Sequence, residues 1–365
     1  MVISILIIFL TLVILAVVHE FGHFIVAKKF GTRVEEFGIG YPPRIFAKKI
    51  GDVVYSLNLL PFGAFVKVKG EEGEMDIEEA DNMSSKTIGQ RALIILGGVI
   101  SFWIFGIILL SVIFALGAPI GVSDDTLADN AKVQIVAVEK NSPAEIAGIK
   151  VGDIIYQIKS FNSELNNIDK VKEVQDFINI NLGQEIIVVA KRGSETVDMN
   201  LVPRLIAPQG QGATGIGLTR IIVKKYSLIG SILEGFKTCL DLTSQILVGL
   251  FNAVKGIFYH QPTGVELIGP VGIGLLMSQA INSGFIYYLQ FVAVISIHLA
   301  IMNLLPIPAV DGGRLLFLTI EKIKKSPINP KIEQKINASF FILIIIIMFF
   351  VTAKESIDIL KSIIL

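Results

Sequence analysis

Apolar residues in this chain run in blocks, with little regular alternation against polar ones. A hydrocarbon core of ~30 Å takes about 20 apolar residues to cross. Segments 2–27, 92–118 and 336–353 meet or approach that length, as does a span near 285–305 inside an uncharged run from 267 to 310. That run is too long for one helix. Its Gly269, Gly272, Gly274 and Gly284, with Pro270, Pro306 and Pro308, predict a broken or re-entrant piece ahead of the span. Segment 53–69 reads as a β-hairpin about Pro61-Phe62-Gly63. Between the second and third spans, 124–220 turns soluble in character. There 133–138 reads as a strand, 141–158 as a turn, short helix and strand, 170–180 as a helix, and 185–191 with 196–202 as a hairpin about Arg192-Gly193. Residues 226–260 are helical by pattern, with Glu234, Lys237, Asp241 and Lys255 interrupting an apolar surface. This suits an amphipathic helix on the outer membrane face, the alternative being a fifth span.

Composition agrees with a membrane protein. Apolar residues make up 52% of the 365 and charged ones 18%, below the ~25% of soluble domains, and the mean hydropathy is +0.68. With 32 basic and 32 acidic residues the chain lacks the basic excess that nucleic-acid binding needs. A single cysteine, Cys239, excludes an internal disulfide and a multi-cysteine metal site. Lys28, Lys29, Arg33, Arg44, Lys48, Lys49, Lys67 and Lys69 follow the first span and none precedes it. The positive-inside rule therefore predicts a cytoplasmic 28–91, with both termini and 119–225 outside. A cleaved signal peptide is the rival reading of 2–27, which lacks a basic start and a small-residue cleavage site.

Ionisable residues inside a span are costly and therefore candidates for function. Here they form a pattern, His19-Glu20-Phe21-Gly22-His23. On a helix, positions i and i+4 share a face, so both imidazoles can hold one metal with Glu20 beside them to take a water's proton. At ~1.5 Å per residue His19 sits roughly 26 Å along the helix, so the site lies inside the hydrocarbon near its cytoplasmic end. A catalytic zinc with two histidines needs a third protein ligand and an open position. Asp311 is the candidate, closing the uncharged run in NLLPIPAVDGG (303–313). The prolines and glycines there free backbone that membrane depth tolerates only against a site or cavity.

These motifs together resemble the site-2 protease family of intramembrane zinc metalloproteases, most closely its bacterial regulator-of-sigma-E protease group. Within 124–220, the SPAEIAGIKVGD pattern resembles PDZ domains of membrane and periplasmic proteases. The resemblance implies a polytopic α-helical membrane protein of about four transmembrane helices. It also implies a membrane-associated β-hairpin region and an inserted α+β PDZ-like domain. It implies one Zn2+ held by His19, His23 and Asp311, with Glu20 as general base and Asn303 near the substrate. The 53–69 hairpin, with Pro61, Phe62 and Gly63 at its turn, matches the family's region that clamps substrate as an extended strand. Phe37-Gly38-Ile39-Gly40 resembles a family glycine motif beside it. Gly215, Ile216, Gly217 and Leu218 resemble a carboxylate-binding peptide groove, or equally a glycine-rich linker.

The expected organisation is 1–27 first span, 28–91 β region, 92–118 second span, 124–220 PDZ-like domain, 226–260 surface helix, 267–320 re-entrant piece with the third span, and 336–353 fourth span. The expected setting is a bacterial inner membrane, and the expected partners are the lipid bilayer and single-span membrane proteins already trimmed by another protease. Two features depart from the group. There is room for one PDZ-like domain where well-known members carry two, and His298 stands where asparagine is expected. His298 could support a metal ligand, carry a proton or pack within its helix bundle, while His260 reads as surface. A tethered soluble metalloprotease would place HExxH outside the bilayer. A non-catalytic PDZ scaffold would lack a ligand or the base. A metal transporter would show polar residues on several spans and repeat symmetry.

Overall fold

The computed structural model describes residues 2–71, 79–193, 195–208, 210–259 and 268–364; His260 lies outside them. The elements are, in chain order, α1 Val2–Lys29, β1 Val34–Ile50, β2 Val53–Val68, α2 Ile88–Leu116, β3 Ala118–Val122, β4 Lys132–Val138, α3 Pro143–Ile146, β5 Ile154–Ser160, β6 Glu164–Asn166, α4 Val171–Ile180, β7 Ile186–Arg192, β8 Glu195–Leu201, β9 Ile216–Lys224, α5 Leu228–Tyr259, α6 Pro270–Ser283, α7 Phe285–Leu304, α8 Asp311–Lys324 and α9 Pro330–Ile364. Two compact units arise, one from Met1–Leu110, Gly235–Leu275 and Val292–Leu365, the other from Ser111–Glu234 and Leu276–Phe291.

Among the described residues five helices, α1, α2, α5, α7 and α9, are long and apolar enough to cross a membrane. The chain is a multi-pass membrane protein with a β region. The fifth helix is the 226–260 segment expected on the surface; by length and composition it also qualifies as a span. The last helix, expected at 336–353, runs from Pro330 to Ile364, because Pro330 opens it at a position that needs no N–H. The expected break ahead of the third span is the corner between α6 and α7, where Gly284 takes φ +122°.

The β region of the first unit differs from expectation. The two-residue turn is Gly51-Asp52, with Gly51 at φ +63° and Ile50 opposite Val53. Pro61, Phe62 and Gly63 are not the tip of a hairpin within 53–69; they lie inside β2. The two halves of β2 pair with β1 rather than with each other. Ile39 faces Ala64 and also Leu57, so the ribbon curls with 34–39 between the two halves. The reason is that β1 runs 17 residues and offers both of its edges where the expectation had placed no strand. Phe24, Ala27, Val34, Phe37, Val53, Val68, Ile94, Ile95 and Leu318 form one core, which ties α1, α2, α8 and the inner β ribbon together.

The second unit carries a seven-stranded antiparallel sheet in the order β3-β9-β4-β5-β7-β8, with β6 beside β5. The expected strands, the short helix capped by Ser142, and the 171–180 helix are all present. Ile135, Ile155, Ile158, Val174, Ile186 and Val188 fill its core. Residues 216–218 begin β9 and only Gly215, at φ +75°, is loop, so the linker reading does not hold. The corner between α6 and α7, within Leu276–Phe291, belongs to this unit, with Gln134 Nε2 donating to Tyr287 Oη at 2.8 Å.

Asp153, 1% exposed, accepts from Arg192 Nε at 2.7 Å and Nη2 at 2.6 Å, and from Lys150 N at 2.9 Å. The paired carboxylate helps hold the Arg192 guanidinium above its ordinary pKa. Arg192→Met leaves that carboxylate buried without its partner, so the sheet unit should lose about 3 kcal/mol or more. Limited proteolysis of the full chain across a urea series measures this, and Asp153→Leu added to Arg192→Met should recover much of the loss.

Candidate metal centre

His19 and His23 are one turn apart on α1, inside 28 residues whose only other ionisable groups are Glu20 and the terminal Lys28 and Lys29. Asp311 opens α8, where Pro306 and Pro308 have ended α7 and Gly312-Gly313 let the chain fold back closely. A Cβ on Gly312 would stand 1.9 Å from Leu305 O. The structure brings the predicted ligands together. Asp311 Oδ2 lies 3.3 Å from His19 Nε2 and 3.3 Å from His23 Nε2, and the two Nε2 atoms are 3.3 Å apart.

That triangle can be tested against a metal. Donors held tetrahedrally at the usual ~2.0–2.1 Å stand about 3.3 Å from one another, so these three match three corners and leave the fourth open for water. His23 Nδ1 donates to Ile94 O at 3.0 Å, which fixes the proton there and leaves the Nε2 lone pair facing Asp311. His19 stacks on Phe102, with ring centroids 4.8 Å apart, which orients its ring. Asp311 Oδ2 is buried with no hydrogen-bond donor. Two imidazole lone pairs and a carboxylate oxygen crowded at this spacing are mutually repulsive without a cation, so the donor set fits one.

Sequence reading missed what lets the histidines stand there. α1 and α2 meet through glycine: a Cβ on Gly22 would lie 2.1 Å from Gly97 O, and one on Gly98 would lie 2.3 Å from His23 Nε2 and 2.8 Å from His19 Cε1. The signal was available, since two adjacent glycines in an uncharged span weaken the helix and mark close helix approach.

A cavity of about 820 Å3 opens on the site, lined among others by His19, Glu20, His23, Asn303, Asp311 and Arg314. Glu20 Oε2 accepts from Val66 N at 3.1 Å, so the carboxylate is held against the edge of β2. Asn303 Nδ2 donates back to Leu299 O at 2.9 Å, leaving its Oδ1 for another donor. The cavity takes in Ala64 to Glu71 but not Pro61, Phe62 or Gly63; Phe62 instead meets Phe9 of α1, with centroids 6.1 Å apart. His298 is exposed on α7, and its ring bonds its own helix at Val294 O. Arg314, one turn after Asp311, pairs with Glu71 on the cavity wall. Neither had been singled out in the sequence.

The model of peptidase family M50 matches residues 7–347. The chain belongs to peptidase family M50. This M50 peptidase is 33% identical to a protein of Clostridium perfringens named as a zinc metalloprotease, over 93% of this chain and 95% of that one. It is 27% identical to zinc metalloprotease RasP of Geobacillus kaustophilus, over 92% and 94%. It is 28% identical to the regulator of sigma-W protease RasP of Bacillus subtilis, over 95% and 96%. The protein is thus an intramembrane zinc metallopeptidase of the site-2 protease family. The converged donors of His19, His23 and Asp311 are suited to its metal.

Proposed function

We propose that this peptidase hydrolyses peptide bonds within the membrane-spanning segment of single-span proteins, with His19, His23 and Asp311 as zinc ligands and Glu20 as general base. The observation that carries the reading is the 3.3 Å triangle of donors with Glu20 on the same cavity wall, on a helix otherwise fit to span a membrane. When bound, zinc supplies Lewis acidity that polarises the scissile carbonyl and acidifies the attacking water. Glu20 takes the proton of that water and returns it to the leaving amine. Asn303 Oδ1 accepts from the unwound substrate backbone. The outer edge of β2 from Ala64, where Val66 N–H bonds Glu20 Oε2, receives that backbone as an added strand, because a helical peptide bond is shielded by its own turn. Pro61, Phe62 and Gly63 would extend the same track beyond the cavity.

The sheet unit is read as PDZ-like. In support, β3 covers β9 only from Arg220 onward, so Ile216 to Thr219 keep an open edge next to the Gly215 loop. That edge suits an extended peptide, or limits access to substrates already trimmed outside. The basic residues after α1 favour a bacterial inner-membrane location with the site near the cytoplasmic side. With α5 lying on the membrane surface, the same reading puts the sheet unit and both termini outside. The B. subtilis relative's role as a regulator of sigma-W points toward membrane-anchored regulators such as anti-sigma factors, beside remnant signal peptides.

The test uses detergent-purified full-length protein and a model single-span substrate shortened on its outer side. One zinc per chain is expected, with cleavage inside the span that a chelator stops and added zinc restores. A protein that holds no zinc and leaves the substrate intact would instead favour the membrane-anchored PDZ scaffold.

A further inference from the structure

The third ligand arrives on a difficult piece of backbone. Between the end of α7 at Leu304 and Asp311, Pro306 and Pro308 have no N–H to give. Ala309, with a Cβ, sits at φ +81°, a left-handed conformation that strains a residue other than glycine. Val310 caps α8 without any side-chain cap bond. Ala309 N–H is therefore one of few donors by which this stretch can be fastened from outside, and its partner comes from a different helix: it donates to Asn337 Oδ1 of α9 at 3.2 Å. The donor must face the amide oxygen, which fixes the orientation of the side chain. Asn337 is half-buried at the start of a long apolar stretch of α9, a place where an amide needs a reason. It lines the cavity that holds His19, Glu20 and Asp311, and also an adjoining one of about 570 Å3.

We propose that Asn337 is a positioning residue for the metal centre: by accepting from Ala309 N–H it holds residues 305–310 in the conformation that aims Asp311 at His19 and His23. The inference rests on the metalloprotease reading. It makes the last long helix part of the site, although no side chain of α9 is a ligand. It also predicts that the contribution of Asn337 is its acceptor oxygen and not its bulk.

The measurement is zinc affinity by chelator competition on the full-length protein, with the Co2+ absorption spectrum as a report on four-coordinate geometry and thermal melting as a check of folding. Asn337→Leu keeps the shape and loses the acceptor, and should bind zinc about 10-fold or more weakly, with a weakened Co2+ band. Asn337→Asp keeps an acceptor at the same reach and should stay within about threefold of wild type. Ala309→Gly added to Asn337→Leu should recover several-fold in affinity, since glycine takes a positive φ without strain. If the leucine variant does not fold, Asn337→Ala makes the same comparison. Wild-type affinity in the variants lacking the acceptor would overturn the proposal. So would an equal loss in Asn337→Asp, or a double variant no better than Asn337→Leu. A wild-type protein without zinc would overturn the metalloprotease reading and this inference with it, whereas a zinc-binding wild type with an indifferent Asn337 would overturn this inference alone.

Discussion

Glu20→Gln is expected to keep one zinc per chain and to cleave a single-span substrate about 10²- to 10⁴-fold more slowly, the range that a positioned acid–base group contributes. Glutamine has the size of glutamate and keeps an oxygen to accept from Val66 N–H, so the β2 edge and the packing of α1 need not move. What it cannot do is hold the proton taken from water or pass it to the departing amine. The converged metal donors are His19, His23 and Asp311, so the metal should be unaffected. Single-turnover cleavage with metal analysis of the same samples separates the cases. Loss of zinc together with activity would mean that Glu20 has a structural or ligand role. Undiminished cleavage would move the base elsewhere, Glu35 and Glu71 being the other glutamates that line the cavity.

The part of the site legible in the sequence was the part written locally. His19, Glu20 and His23 share one helix, where a spacing of four fixes a common face before anything else folds. Asp311 was reachable because two prolines and two glycines in an apolar run announce backbone that must be satisfied near a site. What failed to read out depended on partners distant in the chain. The curl of β1 about β2 is set by Ile39 meeting both Leu57 and Ala64, and no single stretch states that. The true turn, Gly51-Asp52, was a plain two-residue hairpin signal, but Pro61-Phe62-Gly63 had the more conspicuous turn chemistry. In the structure those residues lie within the strand, with Phe62 set against Phe9. Asn337 and Arg314 likewise carry no motif. They acquire meaning only when α8 and α9 are brought to Ala309 and Glu71. In the sheet unit β4, β5, β7 and β8 could be read, because they are short and separated by ordinary turn residues, whereas β3, β6 and β9 carry no such local signal.

Gly98→Ala should cost the protein its metal. A methyl group there would sit 2.3 Å from His23 Nε2 and 2.5 Å from its Cε1, with His19 Cε1 at 2.8 Å. All three distances are shorter than side-chain carbons tolerate, and the first atom is a donor that must reach the ion. His23 has little room to withdraw, because its Nδ1 is fastened to Ile94 O at 3.0 Å. His19 is likewise held by its stack on Phe102. The alternative, a shift of α2 away from α1, is opposed by the glycine contact one residue earlier, where Gly22 and Gly97 meet backbone to backbone. Either response spoils the 3.3 Å spacing of the donors, so zinc affinity should fall by about 100-fold or more, beyond what losing one supporting contact costs. Overpacking should also remove about 1–3 kcal/mol of stability. Gly89→Ala on the same helix is the contrast: nothing lies within 4 Å of its Cβ position. There the better helix propensity of alanine should stabilise by up to about 1 kcal/mol and leave the metal alone. Zinc titration and thermal melting of both variants decide the matter. A Gly98→Ala protein that binds zinc as tightly as wild type would show that the imidazoles have freedom the structure does not give them, and that Gly98 serves only the approach of the two helices.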